Sequence, residues 1–328
     1  MSAEKSGNKV KYYIGVDLGG TNIVAGVVDE EFNIISKAST KTKAPRPGEE
    51  ICKDIVAVIM QATVLGGISI SEIESIGIGT PGIANSDTGT IEYSCNLGFF
   101  NFEMVRIIRG MIDLPVFIEN DANAAAYGEF LAGSAKHAKD AVCITLGTGV
   151  GGGIIIDGKI YSGFNFAGAE LGHTVVDPNG PECSCGRKGC FEVFSSATGL
   201  IRMTKEAIEI NHDCLMAKMS REEGKISGRL SFNAMRAGCP VAKEVCDKYI
   251  RYLALGITNM INIFQPDVLC IGGGVCNEGN ALLLPVREIV EKEVYTRNSP
   301  KNTEIVIASL GNDAGIIGAA FLGLNKQR

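Results

Sequence analysis

Asp17-Leu18-Gly19-Gly20-Thr21 interrupts two apolar stretches, Lys11 to Asp17 before it and Asn22 to Asp29 after it. The flanks are rich in β-branched residues, alternate at first and then run apolar. They read as two strands, with Leu18 to Thr21 as the glycine turn of a hairpin. The same grammar returns near mid-chain: Ala141 to Leu146, the turn Gly147-Thr148-Gly149-Val150-Gly151, and Gly152 to Asp157 before an Asp157-Gly158 turn. Such a recurrence marks an internal duplication.

Working outward, each hairpin is followed by alternating helix and strand patterns. The first half holds a helical stretch from Glu49 to Leu65, strands at Ser75 to Gly79 and Val116 to Glu119, and an alanine-rich helix from Ala122 to Leu131. The second holds helical patterns at Ala197 to Ile210 and Pro240 to Phe264, then a strand, Asp267 to Gly272, ending in Gly272-Gly273-Gly274. Alternation of this kind predicts an α/β fold in two related lobes with a cleft between them. The division is expected near Glu119, giving a smaller N-terminal lobe (1–119) and a larger one (120–313). The last apolar run, 314–325, is expected to form one helix that returns to the first lobe.

The chain has 328 residues, more than one hydrophobic core usually serves, and its 45% hydrophobic and 21% charged content suits a folded globular protein. The net charge of -6 is spread along the chain, and no Lys/Arg-rich run offers a footprint for nucleic acid. Met1 to Lys11 is polar, and no later segment reads as a membrane span, so a cytoplasmic protein with no membrane partner is expected. Eleven cysteines without a secretion signal read as reduced thiols.

Glycines at strand ends let backbone N–H groups approach phosphate oxygens, because no side chain intervenes and positive φ angles cost little. One such turn would be only a hairpin. Three turns, one carrying Asp17 and two carrying the hydroxyls of Thr21 and Thr148, point to a nucleoside triphosphate. An acidic side chain beside phosphates implies a cation between them, hence Mg2+ at Asp17. Gly147, Gly149 and Gly152 also satisfy a GxGxxG spacing, but β-branched residues follow where a dinucleotide fingerprint needs a helix. None of the turns is followed by the Gly-Lys-Ser/Thr of a Walker loop.

His173, Cys183, Cys185 and Cys190 place one imidazole and three thiols in a short glycine-bearing stretch, a donor set suited to a closed, structural Zn2+ site. Asn120-Asp121 follows the strand Val116 to Glu119 and opens a helix. Either residue would cap it, and the carboxyl end of a strand at a lobe boundary is also where α/β proteins place ligands.

On Asp17-Leu18-Gly19-Gly20-Thr21, Gly147-Thr148-Gly149-Val150-Gly151, Glu170-Leu171-Gly172-His173 and the run from Cys183 to Glu192, the chain strongly resembles the ROK family of sugar kinases and sugar-responsive repressors. The resemblance spans almost the whole chain and is nearest to the glucokinases. It implies an actin-like (ribonuclease H-like) ATPase fold and ATP-dependent phosphorylation of glucose at its 6-hydroxyl. Asp17, Gly19, Gly20, Thr21 and Asn22 would then face Mg2+ and phosphates, and Gly147, Thr148, Gly149, Gly272, Gly273 and Gly274 would line the rest of the ATP site. Asp121 would be the catalytic base. Gly82, Asn96, Asn120, Asp121, Glu170, His173 and Glu192 would meet the sugar, His173 also binding zinc. A homodimer or dimer of dimers, and closure of the cleft on sugar binding, are further implications.

Ile83-Ala84 stands where N-acetylmannosamine kinases of the family tend to carry a polar, arginine-bearing segment, which disfavours an N-acetyl sugar. Mannose, fructose, allose and N-acetylglucosamine stay open, since epimers differ by single hydrogen bonds. A non-catalytic sugar sensor is the alternative of another class. The family's repressors carry a helix-turn-helix ahead of the first glycine turn, and only about a dozen residues precede that turn here.

Overall fold

A computed structural model of the chain describes residues 10–325. Residues 1–9, which hold most of the polar start, lie outside the described residues. In chain order the first elements are strands β1 (Tyr12–Leu18), β2 (Asn22–Asp29) and β3 (Ile34–Lys41), helix α1 (Gly48–Gly66), and strands β4 (Ile73–Thr80), β5 (Ile83–Asn85), β6 (Thr90–Ser94) and β7 (Phe99–Phe102). Helix α2 (Met104–Arg109), strand β8 (Val116–Asn120) and helix α3 (Asp121–Leu131) come next. Strands β9 (Ala141–Leu146), β10 (Val150–Ile156) and β11 (Lys159–Ile160) precede helices α4 (Phe191–Ser195), α5 (Ala197–Ile210), α6 (Leu215–Glu223), α7 (Leu230–Arg236) and α8 (Pro240–Phe264). The chain ends with β12 (Val268–Gly272), α9 (Asn280–Glu293), β13 (Glu304–Ile307), α10 (Ala314–Ala320) and α11 (Leu322–Asn325).

Two compact units result. One comprises the described residues up to Ala132, Ser162–Gly168 and those from Asn312 onward; the other comprises Gly133–Tyr161 and Ala169–Gly311. The division therefore falls beyond α3 and not at Glu119, because α3 packs on α10 inside the first unit. The segment Ser162–Gly168 also belongs to the first unit, tied there by the Ser162 hydroxyl, which donates to Glu119 Oε2 at 2.8 Å.

The first unit is built on a sheet of order β3-β2-β1-β4-β8, with β1 antiparallel to β2 and parallel to β4. The second has a sheet of order β11-β10-β9-β12-β13, with β9 antiparallel to β10 and parallel to β12. The topology repeats, as the recurring hairpin grammar predicts. A small third sheet, β5-β6-β7, belongs to the first unit and sets the turn holding Asn96.

Close backbone packing positions the first unit's functional strand ends. A Cβ placed on Gly15 would stand 1.8 Å from the Ile316 carbonyl oxygen, and one on Gly77 1.7 Å from that of Ala319. Only glycine lets α10 lie directly on β1 and β4, and the cores of that face cannot be bulkier without moving the helix. The apolar run read as one helix is broken at Phe321, whose ring packs against Tyr13 and Phe32 at 4.6 and 4.7 Å between centroids. On the opposite face α1 buries Ile51, Ile55, Val58 and Ile59, at helical spacing, against the same sheet. In the second unit the 25-residue α8 places Leu253, Ile257 and Ile261 in a core shared with Val142 and Ile144 of β9. Among the described residues no helix is long and apolar enough to cross a membrane.

Candidate active site

In the first unit β1 delivers Asp17 to its carboxyl end, and the chain reverses at once. Gly19 N–H donates to the Asn22 carbonyl at 2.9 Å, closing the turn. The end of β3 braces it: Thr42 Oγ1 donates to the Gly19 carbonyl at 2.6 Å, Thr42 N–H to that of Thr21 at 2.9 Å, and Lys41 Nζ to Asn22 Oδ1 at 2.8 Å. Neither Gly19 nor Gly20 adopts a positive φ, contrary to the conformational part of the expectation. Glycine here leaves the backbone bare: a Cβ at Gly19 would meet nothing closer than 3.4 Å, so the space above the turn is open. A cavity of about 740 Å³ lies against it, lined by Asp17, Gly20, Thr21, Asn22 and the Lys37–Asp313 ion pair.

Asn120 is the N-cap of α3. Its Oδ1 accepts from Ala122 N–H at 2.9 Å and Asn123 N–H at 3.2 Å, and its Nδ2 donates to the Gly82 carbonyl at 3.1 Å. The capping role read from the sequence thus falls to Asn120. Asp121 stands one residue inside the helix, with Oδ1 accepting from Ala122 N–H at 2.9 Å. Gly82 has φ +99°, and a Cβ there would lie 2.1 Å from the Tyr93 carbonyl oxygen, so it shapes the site through its backbone. Asn96 is exposed beside Gly20.

Both acids are shifted upward. Burial, and then the charge of Asp121, push the Asp17 carboxyl up to about 6. Burial also raises Asp121, opposed by the N–H groups at the start of α3. An acidic pair that resists ionisation suits a bound cation, which fits Mg2+ at Asp17. Glu119, 2% exposed, lies beneath them. Its Oε1 accepts from Asn120 N–H at 2.9 Å and Asn123 Nδ2 at 3.0 Å.

In the second unit the turn between β9 and β10 is closed by Gly147 N–H donating to the Gly149 carbonyl at 3.0 Å. Gly272 ends β12, and beyond it a cavity of about 510 Å³ opens beside Gly274, lined also by Glu223, Lys225, Ser227, Arg229 and Asn233. His173, Cys183, Cys185 and Cys190 converge, with one ligand atom from each lying within 4.8 Å of the others. Cys183 Sγ is 3.5 Å from His173 Nδ1, and Cys185 Sγ is 3.6 Å from Cys190 Sγ. Zinc–sulfur bonds of about 2.3 Å in a tetrahedron give sulfur separations of about 3.8 Å, so the four donors fit that ion. The other ring nitrogen, Nε2, faces Glu170 Oε2 at 4.0 Å. Glu192 turns inward: its Oε2 accepts from Val150 N–H at 2.9 Å.

A chain of duplicated α/β units with glycine turns at strand ends, a cap-and-acid pair and a Cys/His cluster defines a nucleotide-binding class. The ROK family model matches residues 13–326, and the chain belongs to the ROK family. It is 37% identical to a glucokinase of Streptomyces coelicolor over 312 residues, covering 94% of this chain and 96% of that protein. A Thermotoga maritima glucokinase is 36% identical over 311 residues, covering 94% and 96%. Among solved structures, a ROK family glucokinase from Streptomyces griseus in complex with glucose and AMPPNP superposes with a TM-score of 0.78 at 34% identity, covering 97% of this chain and 100% of that one. The fold is the actin-like ATPase fold of the ROK kinases.

Sequence reasoning missed the braces Thr42 and Lys41, the Glu119 network, and the cavity residues Lys225, Arg229 and Asn233. The braces act across about twenty residues and the cavity residues are gathered from separate elements, neither with a motif of its own. The run Glu119-Asn120-Asp121 did carry a signal, since a carboxylate closing an apolar strand is costly unless bonded.

Proposed function

We propose that this chain is a glucokinase that transfers the γ-phosphoryl group of ATP to the 6-hydroxyl of glucose, with Asp121 as base. The observation that carries the proposal is the similarity to glucokinases along nearly the full chain, at 36 and 37% identity. Asp121 Oδ1 is held by the helix terminus, which fixes the carboxylate and leaves Oδ2 for the sugar hydroxyl. Its raised proton affinity strengthens an otherwise weak base, and the hydroxyl need surrender its proton only as its bond to phosphorus forms. Holding the hydroxyl in line supplies most of the rate.

Asp17 would hold Mg2+, partly through water, which supplies charge neutralisation at the β and γ phosphates. The N–H groups inside the two turns, those of Gly20 and Thr21 and those of Thr148 and Gly149, would cradle phosphate oxygens, and the cavity beside Gly274 would take the nucleoside. Zinc on His173, Cys183, Cys185 and Cys190 would fix the imidazole so that Nε2, with Glu170, meets sugar hydroxyls in one orientation. Gly82, Asn96, Asn120 and Glu192 complete the sugar set. The test is Asp121→Asn: turnover should fall by about 10³-fold or more while glucose binding, measured calorimetrically, changes less than about threefold. Near-normal turnover would remove Asp121 from the role.

A further inference from the structure

We infer that Glu192 is a positioning residue for the nucleotide turn, holding Gly147 to Val150 in shape from a base set by the Cys/His loop. The inference rests on reading that turn as a phosphate cradle and adds a role for Glu192 beyond the sugar.

Four observations converge on it. Glu192 Oε2 accepts from Val150 N–H at 2.9 Å, so the carboxylate bonds the turn's last residue. A Cβ on Gly149 would stand 2.3 Å from that same oxygen, so glycine at 149 is what admits the carboxylate. The opposite end of the turn is anchored separately, by Ala197 N–H donating to the Gly147 carbonyl at 2.9 Å. Glu192 itself lies in the first turn of α4, whose N-cap is Cys190, and its Oε1 is 3.9 Å from Cys183 Sγ. A five-residue helix cannot hold its own geometry, so the aim of Glu192 depends on the cysteines that frame it. A charge-assisted bond at one end and an anchor at the other leave the middle of the turn free to receive phosphate.

Two measurements on the full-length, zinc-replete protein test this: amide hydrogen exchange across residues 147–151 without ligands, and magnesium-ADP binding without sugar. Glu192→Ala should speed exchange at Val150 and weaken ADP binding, each by about tenfold or more, with Glu192→Gln, a neutral acceptor, falling between it and wild type. Gly149→Ala should weaken ADP binding in the wild-type background and much less when combined with Glu192→Ala, because the clash partner is gone. Wild-type exchange and ADP affinity in both Glu192 variants, with sugar affinity alone reduced, would overturn the inference. So would an equal cost of Gly149→Ala in both backgrounds. If wild type bound no ADP, the kinase reading would fail, and the exchange data would still decide the clamp.

Discussion

Replacing Asp17 by Asn separates what this carboxylate does for the reaction from what it costs the fold. Asp17 is half-buried beside Asp121, and these two effects, burial first, raise its carboxyl from the ordinary aspartate range to about 6. In the unfolded chain the group titrates near its ordinary value of about 3.9. Below about pH 4 it is protonated in both states and exacts nothing. As pH rises, the unfolded chain ionises first, so stability drains away up to about pH 6 and the deficit is constant above it. At about 1.4 kcal/mol per pH unit the full deficit is about 3 kcal/mol, and partial exposure reduces it to about 2 kcal/mol. Asp17→Asn removes that deficit. At pH 7.5 with a chelator of divalent ions, the variant should melt roughly 5 °C above wild type, and at pH 4 the two should melt together. Calorimetry across that range, with magnesium-ATP turnover assayed in parallel, gives both halves of the result: a more stable protein that has lost its kinase activity. A variant less stable than wild type at pH 7.5, or a difference that ignores pH, would refute the reasoning.

Cys190→Ser should release zinc, lower the melting temperature of the second unit and weaken glucose binding at least tenfold, as followed by metal analysis and calorimetry; unchanged sugar affinity in a zinc-free variant would detach the metal from the sugar site. Gly77→Ala should destabilise the first unit by about 3 kcal/mol or more, since its Cβ would meet the Ala319 carbonyl oxygen at 1.7 Å, and a denaturant midpoint equal to that of wild type would contradict the packing described for α10.

The elements read most closely from the sequence are those whose pattern is local. β2 and β9 begin and end where the apolar alternation does, and α5 and α8 match their periodic stretches, α8 opening with Pro240 at its first turn. The strands β5, β6, β7, β11 and β13 are too short for periodicity to stand out from loop, and β3, read as nothing in particular, is half exposed along its length. The boundary after Ala132 was hidden because it depends on α3 meeting α10, nearly two hundred residues away, through glycine faces that sequence cannot pair. For the site, clustered motifs brought out Asp17, Asp121 and the Cys/His cluster of His173, Cys183, Cys185 and Cys190. The hydrogen bonds that fix the first turn and the Asn120 cap come from Thr42, Glu119 and Gly82, and Glu192 reaches Val150 N–H from a helix that follows the cysteine loop.

The measurement that bears most directly on the central claim is coupled ADP release with magnesium-ATP across glucose, mannose, fructose, allose, N-acetylglucosamine and N-acetylmannosamine. The account predicts the highest kcat/KM on glucose, by about tenfold or more over the other hexoses. A clear preference for another sugar would contradict the substrate, and sugar binding without turnover on any of the six would contradict the kinase and leave a sensor built on the same fold.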